Sequence, residues 1–205
     1  IINKLILPVH MKNSFLKRYG LIILFFIVFS VVGVSSFNYV QTPTKKLPIY
    51  SPSMVSDELV EEDLRYVKKY HRISDFSLFN QNGKNVTHDN YKNKIYVADF
   101  FFTTCPDICP IMTGNMLYLQ ENLKNNNDIM LASFSVTPGV DTIEVLKSYS
   151  LEKGVDDSKW NLMTGEKKQI YDLARKSFLV AKKIHNEQNH GMIHTENFVL
   201  VDKDK

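Results

Sequence analysis

From Tyr19 to Val40 the chain reads YGLIILFFIVFSVVGVSSFNYV, and no charged residue occurs between Arg18 and Lys45. As a helix this run is long enough to cross a hydrocarbon layer of about 30 Å. It predicts a transmembrane anchor over residues 19–40. Lys12, Lys17 and Arg18 stand directly before it, so the positive-inside bias makes residues 1–18 a cytoplasmic leader and sends the rest of the chain across. A cleaved signal peptide, with Val34 and Ser36 as small residues before the cut, is the rival reading. The run exceeds the usual h-region of about 7–15 residues, which favours the anchor. The expected place is a cell inner membrane, crossed once, with the domain on the periplasmic, exported side.

After the anchor, QTPTKKLPIYSPSMVS (Gln41–Ser56) has the prolines and hydroxyl residues of an extended spacer, and the charged run Asp57–Tyr70 predicts a short surface helix. Residues 41–70 are thus expected to be spacer and surface segment. Ile73–Val86 reads as a hairpin turning at Asn82-Gly83. Ile95–Phe102 (IYVADFFF) is apolar enough for a strand covered on both faces, and Ile129–Val136 (IMLASFSV) for a second. Between them Met112, Met116, Leu119 and Leu123 recur at helical spacing. Asp141-Thr142-Ile143-Glu144 has the form of a capping box opening a helix that stops near Gly154. Ile170, Leu173, Ala174 and Phe178 mark another helix, and Asn197–Val201 a final buried strand. Strands alternating with helices, an initial hairpin and a last antiparallel strand make residues 71–205 an α/β, thioredoxin-like sandwich. Two expectations concern the ends: Met11-Lys12-Asn13 resembles a natural start, and a strand so close to Lys205 predicts that the reading frame is truncated.

Composition narrows the function classes. The 205 residues are 44% hydrophobic and 23% charged, enough to bury one core and too apolar for a disordered chain. The formal net charge of +3 comes from the leader, because residues 1–40 contain Lys4, Lys12, Lys17 and Arg18 and no acid, leaving 21 basic against 22 acidic residues in the body. No basic footprint for nucleic acid remains. Two cysteines exclude a disulfide scaffold and any four-cysteine zinc module.

Those cysteines carry the candidate chemistry. Cys105-Pro106-Asp107-Ile108-Cys109-Pro110 lies between a predicted strand and a predicted helix, a position that topology exposes and where ligands gather in open α/β folds. A helix N-terminus favours a thiolate, and this spacing allows two sulfurs to share one ion or to close a disulfide. A purely structural bridge is the bland alternative, but closing so small a loop stabilises little.

FFTTCPDICP (Phe101–Pro110) resembles the signature of the Sco/SenC family of copper chaperones for cytochrome c oxidase assembly. Ser135–Tyr149, Trp160–Ala174 and His194–Asp204 resemble further family segments in order, so the likeness spans roughly residues 71–205 behind an anchor of the family's kind. It implies that Cys105, Cys109 and His194 bind a copper ion, with the copper-bearing subunit of cytochrome c oxidase and a thiol reductant of the cysteine pair as partners. No catalytic residue is implied. The ligand chemistry is coherent: two thiolates suit soft Cu(I), an imidazole adds a ligand that Cu(II) accepts, and a three-ligand site stays open for transfer.

Departures from the family pattern are Thr137 and Ile193, at two positions where relatives commonly carry Asp; the second thins the expected surroundings of His194. Asp107 matches the family and is a candidate for tuning or partner recognition. Asp99, inside an otherwise apolar strand, is the other tuning candidate, because thioredoxins carry a proton-accepting buried Asp at such a place. It keeps an exported thiol–disulfide oxidoreductase, or a redox sensor using the same pair, as the alternative. A peroxiredoxin would place Thr where this chain has Phe102. His71, His88, His185 and His190 are expected to be solvated, Met112 and Met116 to belong to the core, and Met192 to lie in a loop.

Overall fold

The computed structural model describes residues 11–41, 47–181 and 195–204, and the chain divides into two compact units, Ile1–Ile49 and Tyr50–Lys205. In the first, helix α1 (Met11–Gln41) contains the apolar run, and its segment Lys17–Val40 is long and apolar enough to cross a membrane. Its large apolar side chains from Leu21 to Val40 are exposed. An apolar surface on all sides of a helix suits hydrocarbon and not water.

The second unit holds strands β1 (Ser77–Asn80), β2 (Asn85–Thr87), β3 (Ile95–Phe101), β4 (Ile129–Ser135), β5 (Trp160–Thr164) and β6 (Val199–Val201), with helices α2 (Ile108–Leu123), α3 (Ile143–Lys153) and α4 (Lys167–Asp172). Among the described residues the strands form one sheet in the order β2-β1-β5-β4-β3-β6. β3, β4 and β5 run parallel, while β1 and β6 add antiparallel on either side. Both parallel crossovers advance the same way across the sheet, which puts α2 and α3 on one face. Thr113 on α2 and Tyr149 on α3 accordingly share a hydrogen bond of 2.8 Å.

Alternation along β3 separates two environments. Phe100 stacks on Phe134 at 5.1 Å between centroids and meets Phe178 edge-on at 5.5 Å, which fills one face of the sheet. Phe101 turns the other way, toward Tyr149 at 5.8 Å, so Asp99, two residues earlier, belongs to the face covered by α2 and α3.

The hairpin turns as expected. Asn80 exchanges backbone hydrogen bonds with Gly83 and Lys84, and Gly83 takes φ +70°, which a glycine adopts freely. Met112 and Met116 are buried in the core. Five features differ from the sequence reading. Asp57–Tyr70 forms successive turns and no helix, pinned where Arg65 donates to the carbonyls of Val60 and Asp57. Ser51, Pro52 and Val60 are buried. Trp160–Thr164, which no strand pattern announced, is β5, buried along its whole length. α4 gives way at Leu173 to a π-helical turn (Leu173–Ser177), and β6 is a short edge strand with only Val201 buried.

The β5–α4 corner is tight. A Cβ added to Gly165 would lie 2.7 Å from Cδ2 of Leu78, which is fully buried. Gly165→Ala should therefore destabilise the fold by roughly 1–3 kcal/mol through overpacking. An unchanged urea midpoint would show that Leu78 has room to move.

Candidate metal centre

β3 delivers the chain to the cysteine loop at the carboxyl end of the sheet. Cys105 N–H donates to the Phe102 carbonyl at 3.3 Å, closing a turn, and α2 starts at Ile108 with Asp107 in the capping position. Pro110 falls in the first turn of the helix, where its missing N–H removes no intrahelical bond. The turn and the helix start fold Cys109 back beside Cys105.

Both cysteines are free thiols and both are buried, at 9% and 4% exposure. This corrects the expectation of an exposed position, since Thr104, Pro106, Asp107 and Pro110 are exposed while the sulfurs lie beneath them. The two thiols are unlike. Burial opposes ionisation of Cys105, yet the backbone N–H groups of Cys109, Asp107 and Ile108, together with the Cys109 thiol, hydrogen-bond its sulfur and hold it below the ordinary thiol range. Cys109 is pushed up to about 12, first by burial and then by the neighbouring Cys105 and Asp99. The arrangement is a pair of sulfurs at the N-terminus of a helix, of which Cys105 ionises more readily than Cys109, the thiol that hydrogen-bonds it.

Asp99 is 1% exposed and accepts a hydrogen bond from Ser133, its partner in the β3–β4 register. Ser133 Oγ in turn accepts from Trp160 Nε1 at 2.8 Å. Burial raises the Asp99 carboxyl to about 7 against the lowering effect of Ser133. Asp107, by contrast, is exposed and makes no side-chain cap bond.

Asp141 is a residue whose part in the site sequence reasoning missed. Thr142, and not Asp141, caps α3 by accepting from Val145 N–H at 3.4 Å. The Asp141 carboxylate is fully buried and points to the cysteine loop, where Thr103 donates to it through both backbone N–H (3.2 Å) and hydroxyl (2.5 Å). Ser135 and Thr137 hydroxyls complete the set at 2.6 and 3.0 Å. The only sequence signal was an acid beside a better cap. Thr137, the departure from the family pattern, is thus one of the donors.

His194 lies outside the described residues, as do His185, His190, Met192 and Ile193. Among the described residues no three His, Cys, Asp or Glu side chains form a group able to hold a metal. Two histidines expected to be solvated differ from that expectation, His71 in part and His88 wholly. His71 Nε2 hydrogen-bonds the Ser177 carbonyl at 2.8 Å, and His88 is buried against Phe76 and Tyr96.

The SCO1/SenC family model matches residues 65–205. The chain belongs to the SCO1/SenC family. A relative named SCO1 protein homolog in Bacillus subtilis is 37% identical over 137 residues, which are 65% of this chain and 70% of that protein. Two solved structures share the fold. BsSco, described as a member of the Sco family of cytochrome c oxidase assembly proteins with a disulfide switch, is 36% identical with a TM-score of 0.55, covering 65% of this chain and 78% of its own. ScoI of Bradyrhizobium japonicum, solved with copper bound, is 27% identical with a TM-score of 0.53, covering 65% of this chain and 84% of its own. The α/β, thioredoxin-like architecture read from the sequence is that of the Sco family.

Proposed function

We propose that this Sco protein is a copper chaperone, anchored in a cell inner membrane by residues 19–40 with residues 1–18 on the cytoplasmic side, and that its exported domain delivers copper for cytochrome c oxidase assembly. Copper is the cargo. The observation that carries the reading is the buried pair of unlike sulfurs at the start of α2, one hydrogen-bonded by backbone N–H groups that favour its ionisation and by the other thiol. Two close sulfurs suit a soft ion, and binding would release the Cys109 proton. His194 is the proposed third ligand. Support comes from the sheet: β6 runs antiparallel to β3, with Val199 opposite Ala98 and Val201 opposite Tyr96, so the chain enters β6 from the end at which β3 hands over to the cysteine loop. The intervening residues can span up to about 17 Å at about 3.3–3.6 Å each. A three-ligand site leaves room for a donor atom of the receiving protein, for which the copper-bearing subunit of cytochrome c oxidase is the proposed partner.

Titration of the reduced full chain in detergent micelles tests this. One equivalent of Cu(I), and one of Cu(II) with thiolate-to-copper charge-transfer absorption, are expected. Failure to take up copper in either oxidation state would overturn the chaperone reading. The alternative, a thiol–disulfide oxidoreductase or redox sensor, is favoured by one observation, the buried Asp99 acting electrostatically on Cys109. In that reading the pair exchanges with an external thiol reductant, and His194 has no part.

A further inference from the structure

A fully buried carboxylate without a cationic partner is costly unless donors replace its water. Among the described residues Asp141 has four donors, none of them a lysine or arginine: Oδ2 accepts from Thr103 N–H, Ser135 Oγ and Thr137 Oγ1, and Oδ1 from Thr103 Oγ1. Three of the four come from residues at the ends of two strands. Ser135 is the last residue of β4, and Thr103 follows the end of β3 by two positions and precedes Cys105 by two. The carboxylate therefore ties the exit of β3 to the exit of β4. Val136 N–H adds a bond of 2.9 Å to the Phe101 carbonyl, so the two strands stay together up to the point where the cysteine loop departs.

Beyond that point the loop's first half runs through the buried Phe102 to Cys105, whose sulfur meets the N–H groups of the helix start. Cys105 N–H closes the turn to Phe102, while Thr104, Pro106 and Asp107 are exposed. The second half is fixed by α2. The relative position of the sulfurs thus depends on the start of α2, which carries Cys109 and whose N–H groups meet the Cys105 sulfur, and on the Asp141–Thr103 tie, which fixes the backbone two residues before Cys105. We propose that Asp141 is a positioning residue for the cysteine pair, acting through Thr103 to hold Cys105 where its sulfur meets Cys109. The inference deepens the copper reading and rests on it for the ligand, but the geometry it concerns also governs whether the two thiols can form a disulfide.

Charge is not what the tie needs. The acceptor facing the Thr103 N–H cannot be replaced by a donor, whereas the hydroxyl of Thr103 can rotate to accept. Asp141→Asn, with its oxygen toward the backbone N–H and its amide toward the hydroxyl, keeps the connection; Asp141→Ala removes it. Thr103→Val removes the hydroxyl bond and leaves the backbone bond.

The experiment uses the full chain in detergent micelles and three measurements on each variant: thermal unfolding, Cu(I) affinity by competition with a chelator, and the Cys105–Cys109 thiol–disulfide equilibrium against glutathione. In the last, two glutathione thiols are oxidised to one glutathione disulfide as the protein disulfide takes up two electrons and two protons. Asp141→Ala is expected to lower Cu(I) affinity at least tenfold and to shift the thiol–disulfide constant by a similar factor. Thr103→Val is expected to move both in the same directions by a smaller factor, with unfolding near that of the wild type. Asp141→Asn should recover most of the loss. A folded Asp141→Ala protein with wild-type affinity and wild-type thiol–disulfide constant overturns the proposal. If Asp141→Ala does not fold, Thr103→Val decides, and no change in either constant overturns it. If the wild-type chain takes up no copper, the chaperone reading fails by itself, and the thiol–disulfide constants of the same variants still decide the role of Asp141.

Discussion

Replacing His194 by Ala should abolish the thiolate-to-Cu(II) charge-transfer absorption and the assembly of cytochrome c oxidase, while Cys105 and Cys109 still take up one equivalent of Cu(I). Imidazole matters more to Cu(II) than to an ion held by two thiolates, so the loss falls on the oxidised metal. Removing either cysteine is the more severe change. Cys105→Ala takes away the sulfur held by the helix-start N–H groups, and both oxidation states should be lost. The oxidoreductase alternative makes the opposite prediction for the histidine, since its Cys105–Cys109 reduction potential would not notice His194→Ala. The two readings are thereby separated by one substitution that leaves the thiol chemistry in place. Wild-type Cu(II) binding and wild-type oxidase assembly in His194→Ala would remove the histidine from the ligand set, and Ile193 in place of the family's common Asp would then be the sequence sign of that departure.

The parts of this fold that were legible were those whose cause is local. β3 and β4 are apolar runs of the right length, α2 shows its stripe through Met112 and Met116, and Gly154 ends α3 with φ +77°. β5 was not legible because two of its five residues are polar, and Asn161 owes its burial to remote partners. Asn161 accepts from Asn80 Nδ2 at 2.9 Å and donates to the Tyr91 hydroxyl at 3.1 Å. The same holds in the site. The cysteines announce themselves by spacing, and their position at a strand-to-helix junction follows from the pattern around them. Asp141 looks like a helix cap in sequence, and only folding brings Thr103, 38 positions earlier, onto its carboxylate. The burial of both sulfurs was hidden for a similar reason: loop residues read as exposed one by one, and Pro106 and Asp107 are, but the turn at Phe102 and the start of α2 fold the loop over its cysteines. His194 is proposed on resemblance alone, because a lone histidine before a strand has no pattern of its own.

Asp99 gives the second large effect, on stability and its dependence on pH. Its carboxyl is raised to about 7 in the folded protein from an ordinary value of 3.8, chiefly by burial, so the folded state holds this proton more tightly than the unfolded chain. Stability from this group is therefore complete below about pH 4, falls as pH rises through the interval from about 4 to about 7, and is fully lost above it. The shift of about three pKa units corresponds to at most about 4 kcal/mol. Asp99→Asn removes the ionisation and keeps an oxygen to accept from Ser133, whose own bond from Trp160 is undisturbed. The variant should thus be more stable than the wild type at pH 8, by up to those few kcal/mol, and nearly equal to it at pH 4. Urea unfolding at the two pH values measures the difference. If the wild type and Asp99→Asn lose or gain stability in parallel between pH 4 and pH 8, the carboxyl is not buried with its proton. The same variant also weighs the alternative function: a chaperone's copper uptake should survive it, whereas a thiol exchange that needs a proton acceptor near Cys109 should slow.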